Sequence, residues 1–169
     1  MKNMKTTDDQ DELFVVVDKN DDVIGYQTRR DCHRDKSLIH RAVDILIFND
    51  RGELLLQKRS KTKDMHPGCF TVSASGHVAK GQNYRQTAER ELAEEIGIHT
   101  PLKMITTYLS KLPHETEMTT VFKSIHNGPF ELNKQEVDVV KFVSPDRLSA
   151  MQNQLTPGAK DTLRQLKLL

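Results

Sequence analysis

Tryptophan is absent from this 169-residue chain, and the other aromatics are few, at three tyrosines and six phenylalanines. That leaves little to stack on a nucleobase. Tyr26, Tyr84 and Tyr108 are the candidates, and each reads equally well as a partly buried packing residue. Cysteine is scarce too. Cys32 and Cys69 form no CxxC pair and no regular spacing, a poor disulfide framework that suits a reducing cytoplasm. An excess of one charge is also missing: 25 basic against 24 acidic residues leave a net +1. Electrostatics therefore gives no case for binding nucleic acid or an anionic membrane surface. No stretch approaches the ~20 apolar residues of a membrane span. The opening MKNMKTTDDQDEL has no apolar core of the kind a signal peptide requires. The expectation is a cytoplasmic protein that binds neither nucleic acid nor membrane, its oligomeric state unspecified.

What is present is a succession of short elements. Residues 1–11 are polar and acidic and read as a flexible tail, leaving 12–169 as one domain, a length suited to a single core. LFVVVD (13–18) and VIGYQ (23–27) flank a KNDD turn and read as two strands. Residues 28–40 read as a helical turn and a loop. RAVDILIFND (41–50), closed by N-D-R-G and followed by ELLLQKR (53–59), is the clearest hairpin signal in the chain. A basic loop (60–68) ends in Pro-Gly, a strand is expected over 69–75, and GHVAKGQ (76–82) reads as loop. Asn83 with Gln86 three residues on forms a capping box, predicting a helix from Tyr84 to Ile96 that stops at Gly97. Strand-like stretches follow at 102–110, 116–125 and 136–143. Ser144-Pro145 and Thr156-Pro157 each open a helix. Strands on both sides of a central helix, with helices at the end, predict a mixed α/β sandwich.

The helix over 84–96 carries three glutamates in five positions. Glu91 and Glu95 are four residues apart and Glu94 is three from Glu91, so all three reach a common region of space. Two readings compete. One is a solvated face on which Arg90 pairs with Glu94. The other is a hard-oxygen site for Mg2+ or Mn2+, completed by a backbone carbonyl from the glycine-bearing loop at Gly76 and by water. The loop's proximity favours the second, and magnesium commonly bridges carboxylates to a substrate's phosphates.

The whole stretch GHVAKGQNYRQTAERELAEEIGI, residues 76–98, resembles the Nudix box, G-x5-E-x7-R-E-U-x-E-E-x-G-U with U aliphatic. Gly76, Arg90, Glu91, Leu92, Glu94, Glu95, Gly97 and Ile98 fall on the pattern. Gln82 departs from it, holding a glutamine where the pattern has glutamate, which keeps hydrogen bonding and loses a charge. The resemblance implies a Nudix-type α/β/α sandwich with a mixed sheet. It further implies that Gly76, Glu91, Glu94 and Glu95 hold divalent metal and that Arg90 is a structural salt-bridge partner.

Residues 40–77 resemble the isopentenyl-diphosphate isomerase branch of that superfamily. Those isomerases hold a further metal with three histidines and two glutamates, and the matching positions here are His33, His40, His77, Glu115 and Glu117. Residue by residue these are ordinary surface or loop histidines and a half-exposed strand. As a set they make a plausible transition-metal site, for Zn2+ as an example. Arg29, Arg59 and Lys63 match positions that grip the diphosphate; unaided, they read as solvated strand-end and loop cations. The isomerase chemistry has lost its parts, however. Ser75 stands where the isomerases have a catalytic cysteine, and a hydroxyl is far harder to ionise than a thiol. The tryptophan that stabilises their carbocation has no counterpart.

The resemblance therefore implies a metal-dependent pyrophosphohydrolase that cleaves a diphosphate joined to a group X, as in nucleoside diphosphate derivatives. The general base is left open among Glu91, Glu94, Glu95, Glu115, Glu117 and Glu136. Two other readings stand beside it: an isopentenyl-diphosphate isomerase, and a catalytically silent fold that binds a nucleotide or a protein.

Overall fold

The structure is a computed structural model that describes residues 6–169; residues 1–5 of the expected tail lie outside the described residues. Its strands are β1 (Leu13–Val17), β2 (Val23–Thr28), β3 (Ile39–Phe48), β4 (Leu54–Arg59), β5 (Phe70–Thr71), β6 (Ala74–His77), β7 (Lys103–Lys111), β8 (Thr116–Ile125) and β9 (Val137–Val143). The helices are α1 (Arg29–Cys32), α2 (Tyr84–Ile96), α3 (Pro145–Ala150) and α4 (Pro157–Gln165).

β3 is the hub. β8 runs parallel to it along its whole length, from Ile39↔Thr116 to Phe48↔Ile125. A strand has two edges, so its antiparallel neighbours must share the other: β1 at Ile39–His40, β6 at Ala42–Ile45 and β4 at Phe48. One parallel pairing among antiparallel ones makes the sheet mixed, as expected. Side chains alternate across β3. Val43, Ile45 and Ile47 pack with Ala88, Leu92 and Ile96 of α2. Leu46 faces the other way, into a second cluster with Leu148 of α3 and Ala159 and Leu163 of α4. Helices thus cover both faces of the sheet, giving the sandwich.

α2 starts and stops where its local chemistry says it should. Asn83 accepts from the Gln86 amide while the Gln86 side chain accepts from the Asn83 amide. Gly97 ends the helix at φ 68°, a left-handed conformation that glycine adopts without a Cβ penalty.

Three expectations need correction. The turn of the 41–59 hairpin forms, with the Gly52 amide on the Asn49 carbonyl, but its ladder closes only at Phe48↔Leu54. Beyond that pair, Ser73 wedges the strands apart: its Oγ accepts from the Ile47 amide at 2.8 Å and donates to the Leu55 carbonyl at 2.6 Å. β4 pairs instead with β9 and β5. The strand expected over 69–75 is consequently split, and Gly76 and His77 belong to β6, not to a loop. Finally, residues 6–11 are tied down. The Gln10 side chain donates to Asp64, and Asp8 accepts from the Asp64 amide.

Candidate active site and metal centre

α2 lies along β6, and their closest approach sets the position of the acidic groups. Glu91 sits directly against Gly76: a β-carbon there would fall 2.2 Å from Glu91 Oε1. Only glycine allows this packing. Glu95 is buried one turn further on. Its Oε2 accepts from Gln57 Nε2 at 2.6 Å and from the Ser75 amide at 3.2 Å. Burial pushes the Glu95 carboxyl up to about 7 despite those two donors. Burial, reinforced by Glu95, raises the Glu91 carboxyl well above its usual range. A buried and a half-buried carboxylate that repel each other fit a divalent cation, which would remove the penalty of ionising both. Glu94 is different. Its side chain is exposed and held by Arg90 at 2.9 Å. Glu94 thus makes the Arg90 pair of the solvated-face reading and also lines the cavity.

Arg90 also reaches Glu91 Oε1 at 2.8 Å and, through Nε, Gln82 Oε1 at 3.2 Å. Gln82 additionally accepts from Thr87 Oγ1. The glutamine thus keeps the arginine contact as a neutral acceptor.

The three histidines come together from separate elements: His33 from the end of α1, His40 from β3 and His77 from β6. Together with Glu115, just before β8, they offer ligand atoms that all lie within 4.8 Å of one another. Glu115 Oε2 is 2.9 Å from His33 Nε2, 3.2 Å from His40 Nε2 and 3.6 Å from His77 Nε2. Glu117 approaches from the neighbouring position on β8, 3.2 Å from His77 Nε2 and 3.9 Å from His40 Nε2. Phe14 walls the site, stacked on His77 at 4.4 Å and on His40 at 5.5 Å between ring centroids.

This is not a set of surface histidines, since His40 is wholly buried. Burial holds the His40 and His77 imidazoles below their usual pKa and therefore neutral. Burial alone would raise the Glu115 carboxyl, but the three imidazoles outweigh it and hold it well below the carboxylate range. Burial and the Glu115 charge push Glu117 up to about 7. Four buried atoms lack a hydrogen-bond partner among the described residues: His33 Nε2, His40 Nδ1, His40 Nε2 and Glu115 Oε2. Buried polar atoms are rarely left so. Neutral imidazoles converging on an ionised carboxylate are a donor set that fits a transition metal.

Lys63 and Arg59 face the same cavity. Arg59 Nε is fixed by the Met65 carbonyl at 2.9 Å. Lys63 Nζ lies 2.5 Å from both Asp8 and Glu136. Arg29 is not the solvated cation expected from sequence. Its side chain is 8% exposed and makes a two-pronged pair with Asp64 at 2.8 and 2.9 Å, with Nη1 3.4 Å from His77 Nδ1. Its guanidinium braces the histidine site from behind.

One cavity of about 540 Å³ is lined by Glu91, Glu94 and Glu95, by His33, His77, Glu115 and Glu117, and by Arg59 and Lys63, while His40 lies buried behind it. No phenylalanine or tyrosine is among its lining residues. Tyr84 donates instead to Asp21, and Tyr108 shares a hydrogen bond with Thr162. Tyr26 is exposed on β2, with Lys80 over its ring.

The NUDIX domain model matches residues 38–166. The chain belongs to the Nudix family. It is 37% identical over 148 residues to "Isopentenyl-diphosphate Delta-isomerase 2" of Photorhabdus laumondii, covering 85% of this chain and 83% of the relative. It is 32% identical over 158 residues to an uncharacterised Nudix hydrolase of Pseudomonas aeruginosa, covering 93% and 92%. These matches place it in the isomerase-like branch. A crystal structure from Deinococcus radiodurans superposes with a TM-score of 0.72 at 21% identity, over 82% of this chain and 87% of that one, a likeness of fold. Among the described residues no helix is long and apolar enough to cross a membrane.

Against this Nudix framework, sequence reasoning named the glutamates, the histidines and the cations that share the cavity. It missed Asp8, Gln57, Asp64 and Asp44. None has a local signature; each acquires its position through a contact with a distant segment, Asp8 and Lys63 being 55 residues apart.

Proposed function

We propose that this Nudix protein is a metal-dependent pyrophosphohydrolase, acting on a diphosphate joined to a group X and releasing phosphate and X-phosphate. The observation that carries the reading is the packing of half-buried Glu91 and buried Glu95 against β6 in the cavity that Arg59 and Lys63 face. Water attacks one phosphorus, the bridging P–O bond breaks, and its electron pair leaves on the departing phosphate oxygen. Glu91, Glu94, Glu95 and the Gly76 carbonyl would hold Mg2+ or Mn2+, which when bound neutralises charge on the phosphate oxygens and acidifies water. Arg59 and Lys63 orient the phosphates, arginine being suited to paired contacts with their oxygens. Arg90 and Gln82 keep Glu91 and Glu94 in place. A box glutamate is the simplest acceptor for the proton of water, because Glu115 is committed to the histidines and Glu136 to Lys63.

His33, His40, His77, Glu115 and Glu117 would hold a second cation, a transition metal such as Zn2+. That set, with the isomerase-named relative, favours a second reading as an isopentenyl-diphosphate isomerase. Ser75 weighs against it. Its side chain lines the cavity where the isomerases have a thiol, and nothing nearby replaces one, since Cys69 lies outside the lining.

One panel of diphosphates in Mg2+ and Mn2+, read separately for phosphate release and for isoprenyl isomerisation, tests both. Phosphate release that collapses in Glu95→Gln supports hydrolysis. Isomerisation without release would replace it with the second reading.

A further inference from the structure

The cavity lining includes a carboxylate, Asp44, that neither cluster uses. Along β3, residues His40, Ala42 and Asp44 share one face, because strand side chains alternate with period two. His40 belongs to the metal-ligand set. Asp44 stands four residues on, about 13 Å along the strand at ~3.3 Å per residue. The register fixes what surrounds it: Asp44 pairs with Ser75 on β6 and with Val121 on β8. Ser75 in turn donates its amide to Glu95. Along β3 the floor therefore runs from the histidine cluster at His40 to Asp44, which stands level with Ser75 beside the box glutamates.

Asp44 is an unusual residue for the middle of a central strand, where charged groups are strongly depleted. Thr162 of α4 donates to its Oδ2 at 2.5 Å, and Tyr108 shares the Thr162 hydroxyl at 2.7 Å. No hydrogen bond among the described residues reaches its other oxygen, Oδ1. The carboxyl nonetheless lines the cavity, together with Thr71, Leu112, Thr156 and Gly158. One oxygen is fixed by the protein and the other is left for whatever enters.

Resting on the hydrolase reading, we propose that Asp44 is the specificity-determining residue for X. Its Oδ1 hydrogen-bonds a hydroxyl of a small, non-aromatic, hydroxylated X such as a sugar. An isoprenyl chain packed over that oxygen would strip its water and leave it unpaired, which is costly. A nucleobase would find no phenylalanine, tyrosine or tryptophan in the lining to stack on. The Thr162–Tyr108 pair acts as a positioning device that holds the carboxyl in register with the cavity.

The test is kcat/KM of the 169-residue chain in Mg2+ for phosphoribosyl diphosphate, isopentenyl diphosphate and ADP. These compare wild type, Asp44→Leu and Asp44→Asn by phosphate release. Wild type should prefer phosphoribosyl diphosphate by at least about tenfold. Asp44→Leu should lower that substrate about 10- to 100-fold, the cost of one buried hydrogen bond lost, and lower isopentenyl diphosphate far less. Asp44→Asn, which retains an acceptor and the shape, should fall between. An equal fall on all three substrates, or a wild-type preference for isopentenyl diphosphate or ADP, overturns the assignment while leaving hydrolysis standing. Should Asp44→Leu fail to fold, the Asp44→Asn substrate ratio decides in the same way. No phosphate release from any substrate removes the hydrolase reading, and this inference with it.

Discussion

Gly76 and Glu91 are packed so closely that a β-carbon on the glycine would overlap the glutamate's carboxyl, 2.2 Å from Oε1 and 2.3 Å from Cδ. Backbone freedom is not the reason for glycine, because Gly76 sits in a regular strand register with Val43. The reason is space for a carboxylate.

Gly76→Ala is therefore expected to abolish diphosphate hydrolysis by swinging Glu91 away from β6, while the chain stays folded. The stability cost should be about 1–3 kcal/mol, as for an overpacked core position. Phosphate-release kinetics and a urea midpoint separate the two effects. Wild-type activity in a folded Gly76→Ala protein would show that the Glu91 position is irrelevant to turnover.

The contribution of Glu95 to stability without metal should fall as pH rises, opposite in sign to that of the depressed His40 and His77 imidazoles. A carboxyl with a raised folded-state pKa binds more protons when folded than unfolded between the two values, so stability is lost as pH climbs through that window. For Glu95 the window runs from 4.5 to about 7, worth up to about 3 kcal/mol at ~1.4 kcal/mol per pH unit. Urea midpoints at about pH 5 and about pH 8, with and without Mg2+, should show Glu95→Gln gaining on wild type at the higher pH without metal, a gain that Mg2+ removes. An equal pH dependence of metal-free wild type and Glu95→Gln would contradict it.

Purified protein should carry about one transition-metal ion at the histidine site, and His77→Ala should carry little. Elemental analysis of both proteins measures this directly. The four buried atoms without partners predict in addition that removing the ion lowers the melting temperature of wild type more than that of His77→Ala. Equal metal in the two proteins would remove the site.

Asp8 contacts Lys63 and lies 3.7 Å from Arg29. On the hydrolase reading, a carboxylate there would compete with substrate phosphate for Lys63. Lys63→Ala should raise KM about tenfold, near the loss of one charge-assisted hydrogen bond. Asp8→Asn should lower KM by a few-fold with kcat little changed. A higher KM in Asp8→Asn would mean that Asp8 positions Lys63 and does not compete for it.

The sequence by itself determined what depends on near neighbours along the chain. Capping by Asn83, Gln86 and Gly97 placed α2, and helical spacing put Glu91, Glu94 and Glu95 on one side of it. Tertiary structure decided which of these glutamates is buried, because that depends on how α2 lies on β6. Glu94 stayed outside, tied to Arg90 in the ordinary i,i+4 way. The turn at Asn49–Gly52 was legible for the same local reason, whereas the ladder expected beyond it was not, because Ser73, far along the chain, takes the hydrogen bonds. The histidines were recognisable as a set through family resemblance alone. Only the parallel pairing of β3 with β8 brings His40 beside Glu117, and only β6 brings His77 to both. Asp8 and Asp44 carry no motif. Long-range register and burial give them partners and a cavity to face, and a linear pattern records neither.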